Sequence, residues 1–205
     1  WQAQLSRDDG SAFDVYLAGE KVGQVQWNLL GAHNVHNALA AMAAARHVGV
    51  EPHTSCAALA EFAGVKRRME LVAQVNGRAI YDDFAHHPTA IATTLKGLRA
   101  KVGNDRIIAV IEPRSNTMKQ GVHAQSLGES CQVADEVVWF EPPGLQWSVK
   151  DVAKKAGNKH SAWCSVEEII HYLVKESRSG DHIVIMSNGG FANLHQKLAQ
   201  ALDEH

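Results

Sequence analysis

The chain has 205 residues, 45% hydrophobic and 20% charged, enough to bury a core in one large domain or one domain plus part of another. A net charge of -2 at pH 7 argues against a general nucleic-acid binder, which needs a basic surface to displace counterions. No apolar run approaches the ~20 residues that span a bilayer. The opening WQAQLSRDDG lacks the basic-then-apolar order of a secretory leader, so a cytoplasmic protein is expected.

The opening also lacks an initiator methionine, which fits a fragment or a processed product. FDVYL alternates, with Phe13, Val15 and Leu17 on one face, and KVGQVQW follows after AGE, which predicts a hairpin. The alanine-rich segment LLGAHNVHNALAAMAAARHVGV predicts a long helix that Asn34 caps and Gly49 ends. A second helix is expected from about Pro52 to Phe62. From Met69 onward strands and helices alternate. AIYDD, RIIAVIEP, EVVWF, SAWC and DHIVIMSN read as strands. PTAIATTLKGLRAK, HAQSLGESCQVA, SVKDVAKKAG, VEEIIHYLVKES and ANLHQKLAQALDEH read as helices. The expected fold class is α/β, a Rossmann-like, mostly parallel sheet flanked by helices and preceded by a small α+β region, with the boundary near GVKRR.

In such a sheet, ligands bind beyond the carboxyl ends of the strands. DDFAHHP, EPRSNTMKQG, EPPG and SNGG fall there. Pro88 suits the first turn of a helix and holds His87 extended, so Asp82, Asp83, His86 and His87 crowd one loop. Carboxylates there can accept paired ribose hydroxyls, while a solvated loop with one aspartate as a helix cap remains the plain alternative. Arg67 and Arg68 offer planar forks for phosphate, or a solvated basic turn. Asn34 and Asn37, three apart, could read an adenine edge; His33 and His36 lack a third metal ligand. Arg114, Ser115, Asn116, Thr117, Lys119 and His123 suit an anionic, peptide-like ligand, or form an ordinary polar connection. Cys56, Cys131 and Cys164 form no CxxC pair, so free, mostly buried thiols are expected and zinc is not. GxxxxGK[ST], GxGxxG and GxSxG are all absent, which excludes a self-contained P-loop ATPase and disfavours a dinucleotide oxidoreductase or a serine hydrolase.

GAHNVHNALAA, GVKRRME and DDFAHHPTAI, in this order, resemble the Mur ligase family of peptidoglycan synthesis, and EPRSNTMKQGVH and IVIMSNGGF look closest to its tripeptide-recycling branch. The resemblance covers nearly the whole chain. It implies that residues 1–66 are the tail of a central ATP-binding domain and 67–205 the C-terminal Rossmann-like domain. It implies an ATP- and Mg2+-dependent amide-forming ligase joining L-alanyl-γ-D-glutamyl-meso-diaminopimelate to UDP-N-acetylmuramate, with the phosphate loop and metal ligands upstream and no metal ligand in this chain. Asn34 and Asn37 match the family's adenine contacts, Arg68 its phosphate-reaching arginine, Asp83 its ribose acid, and His86 a loop residue near nucleotide or acceptor. Arg114, Asn116, Thr117, Lys119 and Asn188 are the expected peptide contacts. In the L-alanine-adding relative a His-Arg-Tyr run stands where this chain has Arg114, Ser115 and Asn116, which favours a larger acceptor. An L-alanine ligase, a non-catalytic peptide- or nucleotide-binding module and another Rossmann-like enzyme are the competing readings.

Overall fold

The structure is a computed structural model that describes residues 1–205 except 116, 117, 119, 122, 123, 158 and the side chain of residue 125. Its contacts divide the chain into two units, Trp1–Val65 with Lys96–Gly103, and Lys66–Leu95 with Asn104–His205.

The first unit holds an antiparallel sheet in the order β1 (Gln2–Leu5), β2 (Ala12–Leu17), β3 (Glu20–Gln26), with helices α1 (Ala32–His47) and α2 (Pro52–Ala60). Phe13, Val15 and Val25 supply the sheet's buried face, and Val35, Ala38 and Met42 the helix stripe that meets it. Trp27 packs edge-on to Phe13 at 5.5 Å, and its indole N–H donates to the Gly10 carbonyl. The hairpin is present, and β1 adds a strand that the sequence reading lacked. The cap on α1 is also a correction. The helix starts after Gly31, at φ 86° with no side-chain cap, and Asn34 Nδ2 instead donates back to the Leu30 carbonyl at 2.8 Å.

The second unit is a sheet of six strands in the order β4 (Glu70–Val75), β5 (Arg78–Asp83), β9 (His182–Met186), β6 (Ile107–Ile111), β7 (Glu136–Phe140), β8 (His160–Trp163). β5 to β8 run parallel, and β4 pairs antiparallel with β5 at the edge. The helices are α3 (Pro88–Val102), which belongs to this unit only as far as Leu95, and α4 (Ala124–Ser130), α5 (Val149–Ala156), α6 (Val166–Glu176) and α7 (Leu194–Asp203). The expected mostly parallel α/β sheet is the fold observed. All of Ile107–Ile111 is buried, as a strand covered on both faces requires. One core layer joins Ile108, Val110, Ile183 and Ile185 to Ile169 and Leu173 of α6 and Leu194, Leu198 and Leu202 of α7. Ser148 and Ser165 cap α5 and α6 through their hydroxyls.

The register decides where chemistry can sit. Met186 of β9 pairs with Asp83 on one side and Ile111 on the other. Three strands therefore end level, and the segments that begin at Phe84, Glu112 and Ser187 leave the same edge.

Candidate functional site

The turn that feeds β4 comes first. Arg67 and Met69 both have positive φ, 60° and 50°. Such backbone costs of order 1–3 kcal/mol per residue and persists only where neighbours hold it. Here three hydrogen bonds do so: Arg67 N–H to Glu70 Oε2 (2.8 Å), Met69 N–H to Asp83 Oδ2 (2.8 Å), and Phe84 N–H to the Arg67 carbonyl (2.8 Å). The alternation sends the two arginines different ways. Arg67 turns in, with Nε on Asp82 Oδ2 at 3.1 Å and Nη2 on the Ser187 and Gly189 carbonyls at 2.7 Å each. Arg68 stays exposed, its guanidinium 5.9 Å from the Phe84 ring centre.

Asp83 is 2% exposed and accepts from two amides, Met69 and Ala85, one on each oxygen. Burial lifts its carboxyl above the ordinary value, against the pull of those amides and of Arg68. In this structure Asp83 folds the loop and steadies the backbone beside Arg68. The cap on α3 is His87, not an aspartate: its Nδ1 accepts from Thr89 N–H at 3.3 Å, with Pro88 at the first helical position. His86 Nδ1 lies 3.0 Å from the Phe84 carbonyl. A carbonyl only accepts, so Nδ1 carries the proton, and in the neutral ring Nε2 is the acceptor.

After β9, Ser187 Oγ donates to Glu112 Oε2 and accepts from Gly189 N–H at 2.9 Å. Glu112 is 6% exposed and follows β6 directly, so this bond ties two strand ends together. Asn188 Oδ1 is shut off from solvent and accepts no hydrogen bond among the described residues. Gly189 leaves room for Arg114 where the side chain now lies: a Cβ there would lie 2.3 Å from Arg114 Nη1 and 2.6 Å from its Cδ. The Arg114 side chain therefore rests on Gly189. Phe191, Ala192 and Asn193 are three successive left-handed residues that turn the chain into α7. Arg67, Asp82, Ser187, Gly189, Gly190, Phe191, Asn193 and His195 line a cleft of about 230 Å³ beside this loop.

Of the expected site residues, Arg68, Asp83, His86, Arg114 and Asn188 thus sit at one edge of one sheet, Arg68 on the turn that enters β4 and the others at or beyond the ends of β5, β6 and β9. Asn116, Thr117 and Lys119 lie outside the described residues. Asn34 and Asn37 belong to the first unit, on α1; Asn37 is exposed, and Asn34 is half-buried with one amide hydrogen committed to Leu30. Arg67 and Glu112 organise these loops: Arg67, read with Arg68 as a phosphate fork, has its guanidinium committed to Asp82 and two carbonyls, and Glu112 was not singled out. The doubled arginine and an acid directly after a buried strand were the available signals. Among the described residues no group of three or more His, Cys, Asp or Glu could hold a metal ion.

A parallel sheet whose adjoining strand ends gather arginines, amides and carboxylates defines an α/β domain of the class whose ligands bind beyond the carboxyl ends of the strands. Residues 67–189 match the family model of the Mur ligase, glutamate ligase domain, and the chain belongs to the Mur ligase family. The chain is 50% identical over 203 residues to the UDP-N-acetylmuramate–L-alanyl-γ-D-glutamyl-meso-2,6-diaminoheptandioate ligase of Escherichia coli, covering 98% of this chain and 44% of that protein. It is 35% identical over 199 residues to the UDP-N-acetylmuramate–L-alanine ligase of Thermosynechococcus vestitus, covering 91% of this chain and 42% of that protein. The crystal structure of a murein peptide ligase from Psychrobacter arcticus superposes with a TM-score of 0.74 at 48% identity, covering 100% of this chain and 44% of that one. The chain thus spans less than half the length of these relatives.

Proposed function

We propose that this chain is the C-terminal portion of an ATP-dependent ligase that joins L-alanyl-γ-D-glutamyl-meso-diaminopimelate to UDP-N-acetylmuramate. The observation that carries the reading is the seat of the exposed Arg114 on Gly189, at the loop that also carries Asn188. An exposed arginine fork suits the carboxylates of an acidic peptide. A single small amino acid would leave most of such a surface unused. The 50% identity to a ligase named for that tripeptide, against 35% for the L-alanine ligase, points the same way.

In the reaction, the γ-phosphoryl group of ATP passes to the lactyl carboxylate of UDP-N-acetylmuramate, giving an acyl phosphate and ADP. The peptide amine forms the new C–N bond, the C–O bond to phosphate breaks, inorganic phosphate departs, and the amine gives up a proton. The roles proposed for this chain are binding and charge neutralisation. Arg68, exposed on a turn that Asp83 fixes, offers a planar fork to phosphate oxygens. His86 Nε2 offers an acceptor beside that turn. Asp83 can reach a ribose hydroxyl only through lone pairs left over from its two amide bonds. Asn34 and Asn37 remain candidates for adenine, and Arg114, Asn116, Thr117, Lys119 and Asn188 for the peptide.

Calorimetry tests the acceptor reading on this chain directly. Heat is expected with the tripeptide and none with free L-alanine or NADPH. Equal heats with tripeptide and L-alanine would defeat the assignment, and heat with NADPH would point to a reductase.

A further inference from the structure

We infer that Arg67 is a positioning residue for the acceptor. It fastens the loop 187–190 to the turn that carries Arg68, so that peptide binding depends on Arg67 although it need not touch phosphate. The inference rests on the ligase reading above.

Arg67 bonds to three separate segments. Its backbone N–H holds Glu70 at the start of β4. Its Nε pairs with Asp82, and its carbonyl receives Phe84 N–H, both at the end of β5. Its Nη2 holds the carbonyls of Ser187 and Gly189, beyond β9 and 120 or more residues away in sequence. Those two carbonyls bracket Asn188, so fixing them fixes the peptide unit from which Asn188 projects. They also fix Gly189, the surface on which Arg114 rests. The guanidinium stands 5.2 Å from the centre of the Phe84 ring, which adds a face contact. Moving Arg67 would therefore move Asn188 and the seat of Arg114 together, while the Met69–Asp83 bond beside Arg68 stays intact.

The pattern of bonds requires arginine. One flat group must serve a carboxylate from its ε edge and two carbonyls from one terminal nitrogen. A lysine ammonium is a point charge with no such fork and can serve part of the set at most. Arg67 also lines the 230 Å³ cleft beside the loop, which places the clamp at the wall of the space an acceptor would enter.

Two measurements on Arg67→Lys test this. The first is amide hydrogen exchange over residues 187–190 in this chain, where Gly189 N–H is bonded to Ser187 Oγ. Exchange at least tenfold faster than in the parent chain is expected, and unchanged exchange would overturn the clamp. The second is steady-state kinetics in the longer ligase that contains this chain. A KM for tripeptide raised at least tenfold is expected, with the KM for ATP within twofold and kcat within threefold. A merely structural role would lower kcat with both KM values unchanged, and that result, or an equal rise in the KM for ATP, would overturn the positioning role. Asp82→Asn keeps both carbonyl bonds and removes the ion pair. It should raise the tripeptide KM by about threefold, and it serves if Arg67→Lys does not fold; no change in either exchange or KM with Asp82→Asn would count against the inference. If the parent ligase forms no tripeptide product at all, the functional reading fails, while the exchange experiment still decides the clamp.

Discussion

Gly189→Ala separates the site's geometry from the fold's stability. Gly189 does not have positive φ, so alanine meets no backbone strain there. Its Cβ would instead collide with the Arg114 side chain at 2.3–2.6 Å, far inside contact distance. Arg114 is exposed and can swing into water at little cost. The fold should therefore change by less than about 1 kcal/mol, since an alanine at a compatible position also restricts the unfolded chain. Binding should change more. A charged group that hydrogen-bonds its ligand contributes about 1.5–3 kcal/mol, and at about 1.4 kcal/mol per decade this is roughly a 10- to 150-fold loss of tripeptide affinity. Calorimetry with the tripeptide and thermal unfolding, run on the same preparation, give both numbers. Arg114→Ala should lose a similar factor, and the double variant little more than either alone. Tripeptide affinity within twofold of the parent in Gly189→Ala would refute the role given to Arg114.

Three further outcomes follow from the geometry. Asp83→Ala leaves the amides of Met69 and Ala85 without their acceptor, so their hydrogen exchange should accelerate by about 10- to 100-fold, whereas unaltered protection would mean that Asp83 does not hold the turn. His160 Nδ1 accepts the Trp139 indole N–H at 3.1 Å, and burial, helped by Lys159, lowers its pKa below 6.5. The unfolded chain thus takes this proton first, so stability should fall as pH drops below about 6.5, and His160→Gln should flatten that part of a Tm-against-pH curve; an unchanged slope would count against it. Burial pushes the Cys131 thiol up to about 12 and raises that of Cys56, while Cys164 is exposed, so a thiol reagent at neutral pH should modify one cysteine quickly and the other two after denaturation.

What the sequence made legible was set by burial. Strands such as Ile107–Ile111 and His182–Met186 are covered on both faces, so they read as unbroken apolar runs. β1 and β4 escaped because QAQL and ELVAQV are largely exposed edge strands without such a run. The loops of the candidate site were legible because the topology of a parallel sheet dictates which strand ends face ligand. The division of labour between Arg67 and Arg68 was not. It depends on two positive φ angles and on carbonyls 120 and 122 residues downstream, and no local pattern encodes either. The start of α1 was misread for a related reason. Gly31 offers the backbone freedom that the turn uses, whereas Asn34 has the preferred capping chemistry but lies inside the first turn.

A site on this sheet that selects a peptide acceptor should discriminate between tripeptide and L-alanine during turnover. The most direct test is a competition in the ligase that contains this chain, with ATP and UDP-N-acetylmuramate present and the tripeptide and L-alanine offered at equal concentration. Tripeptide conjugate with little L-alanine product is expected, and a preponderance of the L-alanine product would rule out acceptor selection by this site.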